Sequence, residues 1–350
     1  MTKVNGYFHR VLAQTSTQFH INTAIQADLE YFLEQGAVCN TSNPTHIPRA
    51  IKADRELWQP VIDKILKENP EATDDEVADL LLQRITSRSL KMFWPLYKQS
   101  EGKYGYVAIQ GNPFTNEDLP EVLEKAQTYS KLGKNVAVKI QSTKAGAKAI
   151  EELTALGVNT ICTKGFSVSQ GIEMAEAYER GLERTVLKPK CFVVNIAGIL
   201  DEYLAEVAEA QKIDIAPESI SHAGVTMTRV LYRIFKERDY KAYIQGGGSR
   251  EPYHFTELVG GDLAITISPS QARPLIELNP PVVSRIDAEI PEDMLKKLEE
   301  LPDFSRAINV EGLTPEEFYA FGPCMKFQKS CEEGYKETLR EIKARHVALM

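Results

Sequence analysis

The chain has little cysteine, little histidine, no long apolar run and no block of one charge. Its five cysteines include no CxxC pair, which excludes a disulfide framework and a structural zinc site. The six histidines are scattered, so no cluster of His, Asp, Glu or Cys shows metal-ligand spacing. No run reaches transmembrane length, and "MTKVNGYFHRVLAQ" contains no apolar core of signal-peptide size. Net charge is −8 without a Lys/Arg stripe, which speaks against nucleic acid and acidic membranes as partners. No GxGxxG follows the first strand-like segment, so a dinucleotide fold is not indicated. What is present is 350 residues with 43% hydrophobic and 26% charged content, the make-up of a soluble globular protein expected in the cytoplasm.

Short β-branched runs recur between helix-like stretches. They are "QFHINT" from 18, "GAVCNT" from 36, "YGYVAIQ" from 104, "NVAVKI" from 135, "VNTICT" from 158, "CFVVNI" from 191, "KAYIQG" from 241 and "LAITIS" from 263. Segments such as "PEVLEKAQTYSKLG" and "KAGAKAIEELTALG" carry apolar residues at helical spacing and close on glycine. Eight such alternations predict one α/β domain over 1–350, a (β/α)8 TIM barrel. A helical insertion is expected over 44–103, and helices over 275–350 are expected to pack over the barrel.

In such barrels the C-terminal strand ends build the active site. Here those ends are polar: Asn22, Thr41 to Asn43, Gln110, Lys139, Thr163, Asn195, Gly246 to Arg250 and Ser268. Lys139 interrupts "NVAVKI" between Val138 and Ile140. A strand-end lysine commonly curls out to water. Held inside a ring of amides and hydroxyls, it would instead lose charge by desolvation, as a Schiff-base lysine requires. Spacing alone leaves both readings open. The loop "QGGGSREPYHF" offers flexible backbone N–H groups at Gly248, a capping hydroxyl at Ser249 and the fork of Arg250 for an anion, against the alternative of a flexible turn with an exposed arginine.

These segments together resemble the transaldolases and their smaller relatives, the fructose-6-phosphate aldolases, from about residue 18 to 345. "VAVKIQSTKAGAKAIEEL" is similar to the lysine strand of that family, "CNTSNPTHIPRAI" to its Thr-Ser-Asn-Pro segment and "IQGGGSR" to its phosphate loop. The resemblance implies Lys139 as the Schiff-base lysine and Thr163 as the holder of a catalytic water. It assigns substrate contacts to Thr41, Asn43, Asn195, Gly248, Ser249 and Arg250. It also implies sugar-phosphate substrates, a place in carbohydrate metabolism such as the pentose phosphate pathway, no cofactor, and a C-terminal helix across the barrel mouth. Self-association is left open.

Four positions depart from the family pattern. Asn22 stands where an aspartate shuttles protons, Gln110 where transaldolases carry glutamate, and Ile161 where they carry asparagine. Strand six, "VVNIAGILD", lacks the usual serine and arginine, with Asn195 the nearest polar match. An amide is no general base at neutral pH. The chain therefore reads as a transaldolase, as a related aldolase or transaldolase of altered specificity, or as a catalytically silent sugar-phosphate-binding protein. His46 and Lys164 are the remaining candidate bases, both expected to face solvent as loop or helix-start side chains.

Overall fold

The computed structural model describes residues 5–349. Its centre is a closed barrel of eight parallel strands in chain order, each hydrogen-bonded to the next and the eighth to the first. The strands are β1 (Gln18–Asn22), β2 (Cys39–Thr41), β3 (Val107–Ile109), β4 (Val136–Gln141), β5 (Thr160–Gly165), β6 (Cys191–Ile196), β7 (Tyr243–Gly247) and β8 (Ala264–Ile267). All eight fall within or beside the runs read from the sequence. The predicted (β/α)8 fold is the observed one.

The Lys144–Ala155 helix begins where Thr143 accepts the Gly146 N–H, and the Val168–Leu182 helix where Ser167 accepts the Gln170 N–H. Both follow their strands immediately, because each cap residue lies just past the strand's polar end. The connection from β2 to β3 holds three helices, His46–Ala53, Arg55–Glu68 and Asp74–Gln99. The last starts on a capping box between Thr73 and Glu76 and buries Val77, Leu81, Ile85 and Phe93. An N-terminal helix, Tyr7–Gln14, which sequence periodicity did not reveal, packs Phe8 flat on Phe19 of β1 at 3.9 Å between ring centroids. No described helix is long and apolar enough to cross a membrane.

The Gly322–Leu349 helix, within the C-terminal helical region expected over 275–350, reaches the barrel through its first half. Gln328 accepts from Gln141 of β4 at 3.1 Å and donates to the Pro113 carbonyl after β3 at 2.8 Å. Gly334 brings it against the loop after β2, where an added Cβ would stand 2.6 Å from the Thr45 Cα and 2.9 Å from its N. Alanine favours a helix over glycine by ~1 kcal/mol, but overpacking against rigid backbone costs ~1–3 kcal/mol. Gly334→Ala should therefore lower the melting temperature. An unchanged or higher midpoint in calorimetry would show that this contact yields freely.

Candidate functional site

Strand side chains alternate between the barrel interior and the surrounding helices. At the C-terminal end the interior set surrounds a cavity of about 280 Å³. The lining follows the two-residue period: Thr41 and Asn43, Ile161 and Thr163, Val194 and Ile196, Gln245 and Gly247, Thr266 and Ser268, with Asn22 and Lys139 between them. The Gly322–Leu349 helix adds Phe327 and Ser330. Among the described lining residues there is no aspartate or glutamate, whereas Lys139, Arg49 and Arg250 all contribute. The electrostatic character is that of an anion site.

Lys139 donates from Nζ to the Ser42 carbonyl at 3.0 Å. Burial pushes its pKa down to about 8, with the Cys331 thiol opposing and the Lys164 charge reinforcing. The side chain is half-buried, since its flank meets the cavity. A neutral amine is thus within reach at mildly alkaline pH; no carboxylate lines this cavity, whereas Asp75, Glu76, Asp79 and Glu121 line an adjoining one that Lys139 also reaches.

Asn22 accepts from the Thr41 hydroxyl at 3.2 Å, which turns its NH₂ face to the remaining space. Asn43 accepts from the Thr45 N–H at 2.9 Å and its hydroxyl at 2.7 Å, an Asx turn leading into the His46–Ala53 helix. Thr163 is buried on the cavity wall one strand from Lys139, β4 and β5 being paired through Gln141 and Thr163. Gly248 takes φ +63 and could carry no side chain, because a Cβ would lie 2.3 Å from Ile196.

Several expectations need correction. Asn195 is not brought to the cavity. Val194 and Ile196 occupy the inward positions of β6, so Asn195 points outward and accepts from Thr228 at 3.0 Å. Ser249 caps no helix; its hydroxyl donates to the Thr266 carbonyl at 3.3 Å and ties the loop to β8. Gln110 is buried, but it lines an adjoining cavity of about 250 Å³ to which Lys139 also contributes. Neither atom of its amide has a hydrogen-bond partner. Burial pushes the nearby Cys331 thiol's pKa up, opposed chiefly by the charges of Lys164 and Lys139.

His46 and Lys164 do not face solvent; both are buried. His46 lines the cavity, and its Nδ1 accepts the Asn43 N–H at 3.2 Å. Burial, followed by the charges of Arg49 and Lys139, pushes its pKa down to about 3. It is therefore neutral at pH 7 with its proton on Nε2, a donor rather than a base. Lys164 sits at φ +62 where β5 shifts register against β6, and the irregularity swings its ammonium onto Gln328 of the C-terminal helix. Burial lowers its pKa, and two thiols and two carboxylates oppose that shift.

Sequence reading missed Arg49. It lies on the solvent side of the cavity, on the turn of helix that follows the Thr-Ser-Asn-Pro segment, with no hydrogen bond or ion pair to another described residue. Arg250, by contrast, donates to Glu202 at 2.6 Å and to the Gly248 carbonyl at 3.2 Å.

The fold and site together are a parallel eight-stranded barrel with a desolvated lysine at its mouth, beside a cavity to which three cationic side chains contribute. A family profile described as transaldolase/fructose-6-phosphate aldolase matches residues 21–316, and the chain belongs to that family. It is 28% identical over 183 residues to a transaldolase 2 of a Nostoc species, covering 51% of this chain and 47% of that one. A transaldolase of Trichodesmium erythraeum is 25% identical over 230 residues, 60% of each chain. One from Protochlamydia amoebophila is 26% identical over 271 residues, 75% of this chain and 76% of the relative. The chain thus spans less than two thirds of the first two relatives' length.

The lysine pKa has a direct readout. Competitive labelling with acetic anhydride should show Lys139 reactivity rising with pH through a midpoint near 8 and levelling above it, because the free amine predominates above its pKa. A midpoint near that of an unperturbed lysine, about 10.4, would mean that the site leaves the ammonium solvated.

Proposed function

We propose that the protein forms an imine between Lys139 and the C2 carbonyl of a ketose phosphate and transfers a dihydroxyacetone unit to an aldose phosphate. The observation that carries this reading is a depressed, carboxylate-free lysine inside a strand-end cavity to which three cations contribute. The amine adds to the carbonyl and water leaves. Loss of the C4 hydroxyl proton then breaks the C3–C4 bond, giving an aldehyde phosphate and an enamine on Lys139. The enamine carbon attacks the acceptor aldehyde, whose oxygen takes up a proton, and water held by Thr163 hydrolyses the new imine. Arg250 with Gly248 and Ser249 receives the phosphate, and Arg49 supplies a second cation where β6 lacks the family's arginine. Asn22 and Asn43 orient hydroxyls.

The C4 proton has no carboxylate to receive it among the described cavity residues. It passes to water or to the substrate's own phosphate, and the step is correspondingly slow. That same absence favours the second reading, a sugar-phosphate-binding protein that forms the imine without turnover, or one whose turnover needs a different ketose.

Borohydride with fructose 6-phosphate or dihydroxyacetone should fix a reduced adduct on the peptide carrying Lys139. An adduct on Lys144 or Lys164, or none across a panel of ketoses, would sink the assignment. Arg49→Ala and Arg250→Ala should each raise the fructose 6-phosphate concentration for half-maximal trapping by ~10–100-fold, ~1.5–3 kcal/mol for a charge-assisted hydrogen bond. Equal losses with dihydroxyacetone would point to damage rather than phosphate binding.

Asn22→Asp tests the missing base. A positioned general base is worth about 10²–10⁴-fold, so the variant should raise transaldolase turnover by up to that factor. A wild-type rate that the substitution leaves unchanged or lowers would mean the proton already has another acceptor.

A further inference from the structure

Behind the glycine loop, on the side away from the cavity, lies a buried acid–histidine pair that the imine chemistry does not use. Asp201, on the Ala197–Gln211 helix, accepts from the Gly224 N–H at 2.7 Å, from the Tyr253 hydroxyl at 3.1 Å and from His254 Nε2 at 2.8 Å. Both residues of the pair are buried. The opposite ring nitrogen of His254, Nδ1, faces the Glu251 N–H at 3.2 Å and the Arg250 N–H at 3.4 Å.

The ring's tautomer follows from this inventory. A backbone N–H can only donate, so the two loop amides require an unprotonated Nδ1. A carboxylate can only accept, so Asp201 requires a proton on Nε2. The Glu251 carbonyl also stands 3.2 Å from Nδ1. A proton placed there would find that one acceptor, but it would orphan both loop amides and turn the Nε2 lone pair onto Asp201. One tautomer satisfies three partners, the two loop amides and Asp201, and the other satisfies one, the Glu251 carbonyl.

We propose that Asp201 and His254 act as a positioning relay, locking the imidazole with Nδ1 as acceptor so that the backbone at Arg250 and Glu251 presents the glycine loop to a substrate phosphate. The surroundings are built for this contact. A Cβ at Gly198 would lie 2.6 Å from the Gly248 oxygen and 2.8 Å from the Arg250 nitrogen, and a Cβ at Gly224 would lie 2.4 Å from the Ala197 backbone. The Ala197–Gln211 helix thus meets the loop at backbone distance, the Ala223–Glu237 helix packs on that helix, and Asp201 links the Gly224 N–H to the ring. The relay rests on the phosphate reading of the loop given above.

Asp201→Asn is the decisive variant. The Gly224 N–H claims the amide oxygen, so the NH₂ faces His254 and makes Nε2 an acceptor. Nδ1 then carries the proton and opposes the loop amides. Half-maximal borohydride trapping of Lys139 is read with fructose 6-phosphate and with dihydroxyacetone. The preference for the phosphorylated donor should fall on the order of 10–100-fold, since small misplacements of binding groups carry such factors. ¹⁵N NMR of the labelled ring should show the tautomer change.

Adding His254→Asn to that variant should restore much of the preference, because the oxygen of the introduced side-chain amide accepts the loop amides whatever stands at position 201. Double damage without recovery would mark a merely structural pair and overturn the relay. So would a flipped tautomer with unchanged donor preference. A wild type that ignores the phosphate defeats the phosphate reading and the relay with it. A wild type that prefers phosphorylated donors, with variants that keep that preference, defeats the relay alone.

Discussion

An amine held in a partly dry site without a carboxylate partner is the constraint around which the barrel mouth is arranged. A buried ammonium normally demands a counter-ion. Lys139 has only the Ser42 carbonyl at 3.0 Å, and a second buried lysine, Lys164, adds its charge to the same region. An acid placed beside Lys139 would raise its pKa and lower the fraction of free amine at neutral pH. The asparagine at position 22 and the buried glutamine at 110 are consistent with that logic: they supply polarity without fixing charge. The same choice removes the base that carbon–carbon cleavage calls for. Under the proposed chemistry the site therefore favours forming the imine over consuming it.

Desolvation here is the work of the C-terminal helix. Phe327 and Ser330 cover the cavity, Gln328 receives the Lys164 ammonium, and Cys331 stands between the two lysines' fields. Were this helix to lift, both amines would regain water and their ordinary basicity. Its anchors are correspondingly direct, with Gln328 bonded to the β4 side chain Gln141 and Gly334 pressed on the loop after β2. Lid, lysine and strand-two loop thus form a single mechanical unit.

The fold was legible because eight strand-like runs alternate with helical periodicity, several of the helices closing on glycine, and Lys139 was legible because it interrupts an apolar run. Asn195 shows where such reading fails. Its identity is polar, but side-chain parity on β6 is decided by register, and Val194 and Ile196 take the inward places. Lys164 fails differently: a register shift in β5 turns the chain through a positive φ, and no local pattern announces it. Arg49 sits on a helix turn that looks like any solvated face until the barrel closes beside it. Ser249 was misread because the next helix begins four residues later, leaving its hydroxyl to β8.

The loop after β7 shows the deeper reason for these failures. Its glycines announce freedom, yet its conformation is imposed by residues distant in sequence: Ile196 against Gly248, Gly198 against Arg250, Asp201 through His254. Flexible backbone binds phosphate well only when its entropy has already been spent. The three glycines allow the turn, and the helices behind it select one of the shapes allowed. Arg250 follows the same principle, its guanidinium held by Glu202 at 2.6 Å on a partly exposed rim where such a pair contributes little on its own. A phosphate can take over that guanidinium at small cost, whereas the buried Asp201–His254 contacts beneath it stay in place. On the phosphate reading proposed above, binding draws on a charge that is easily redirected and a backbone that is not.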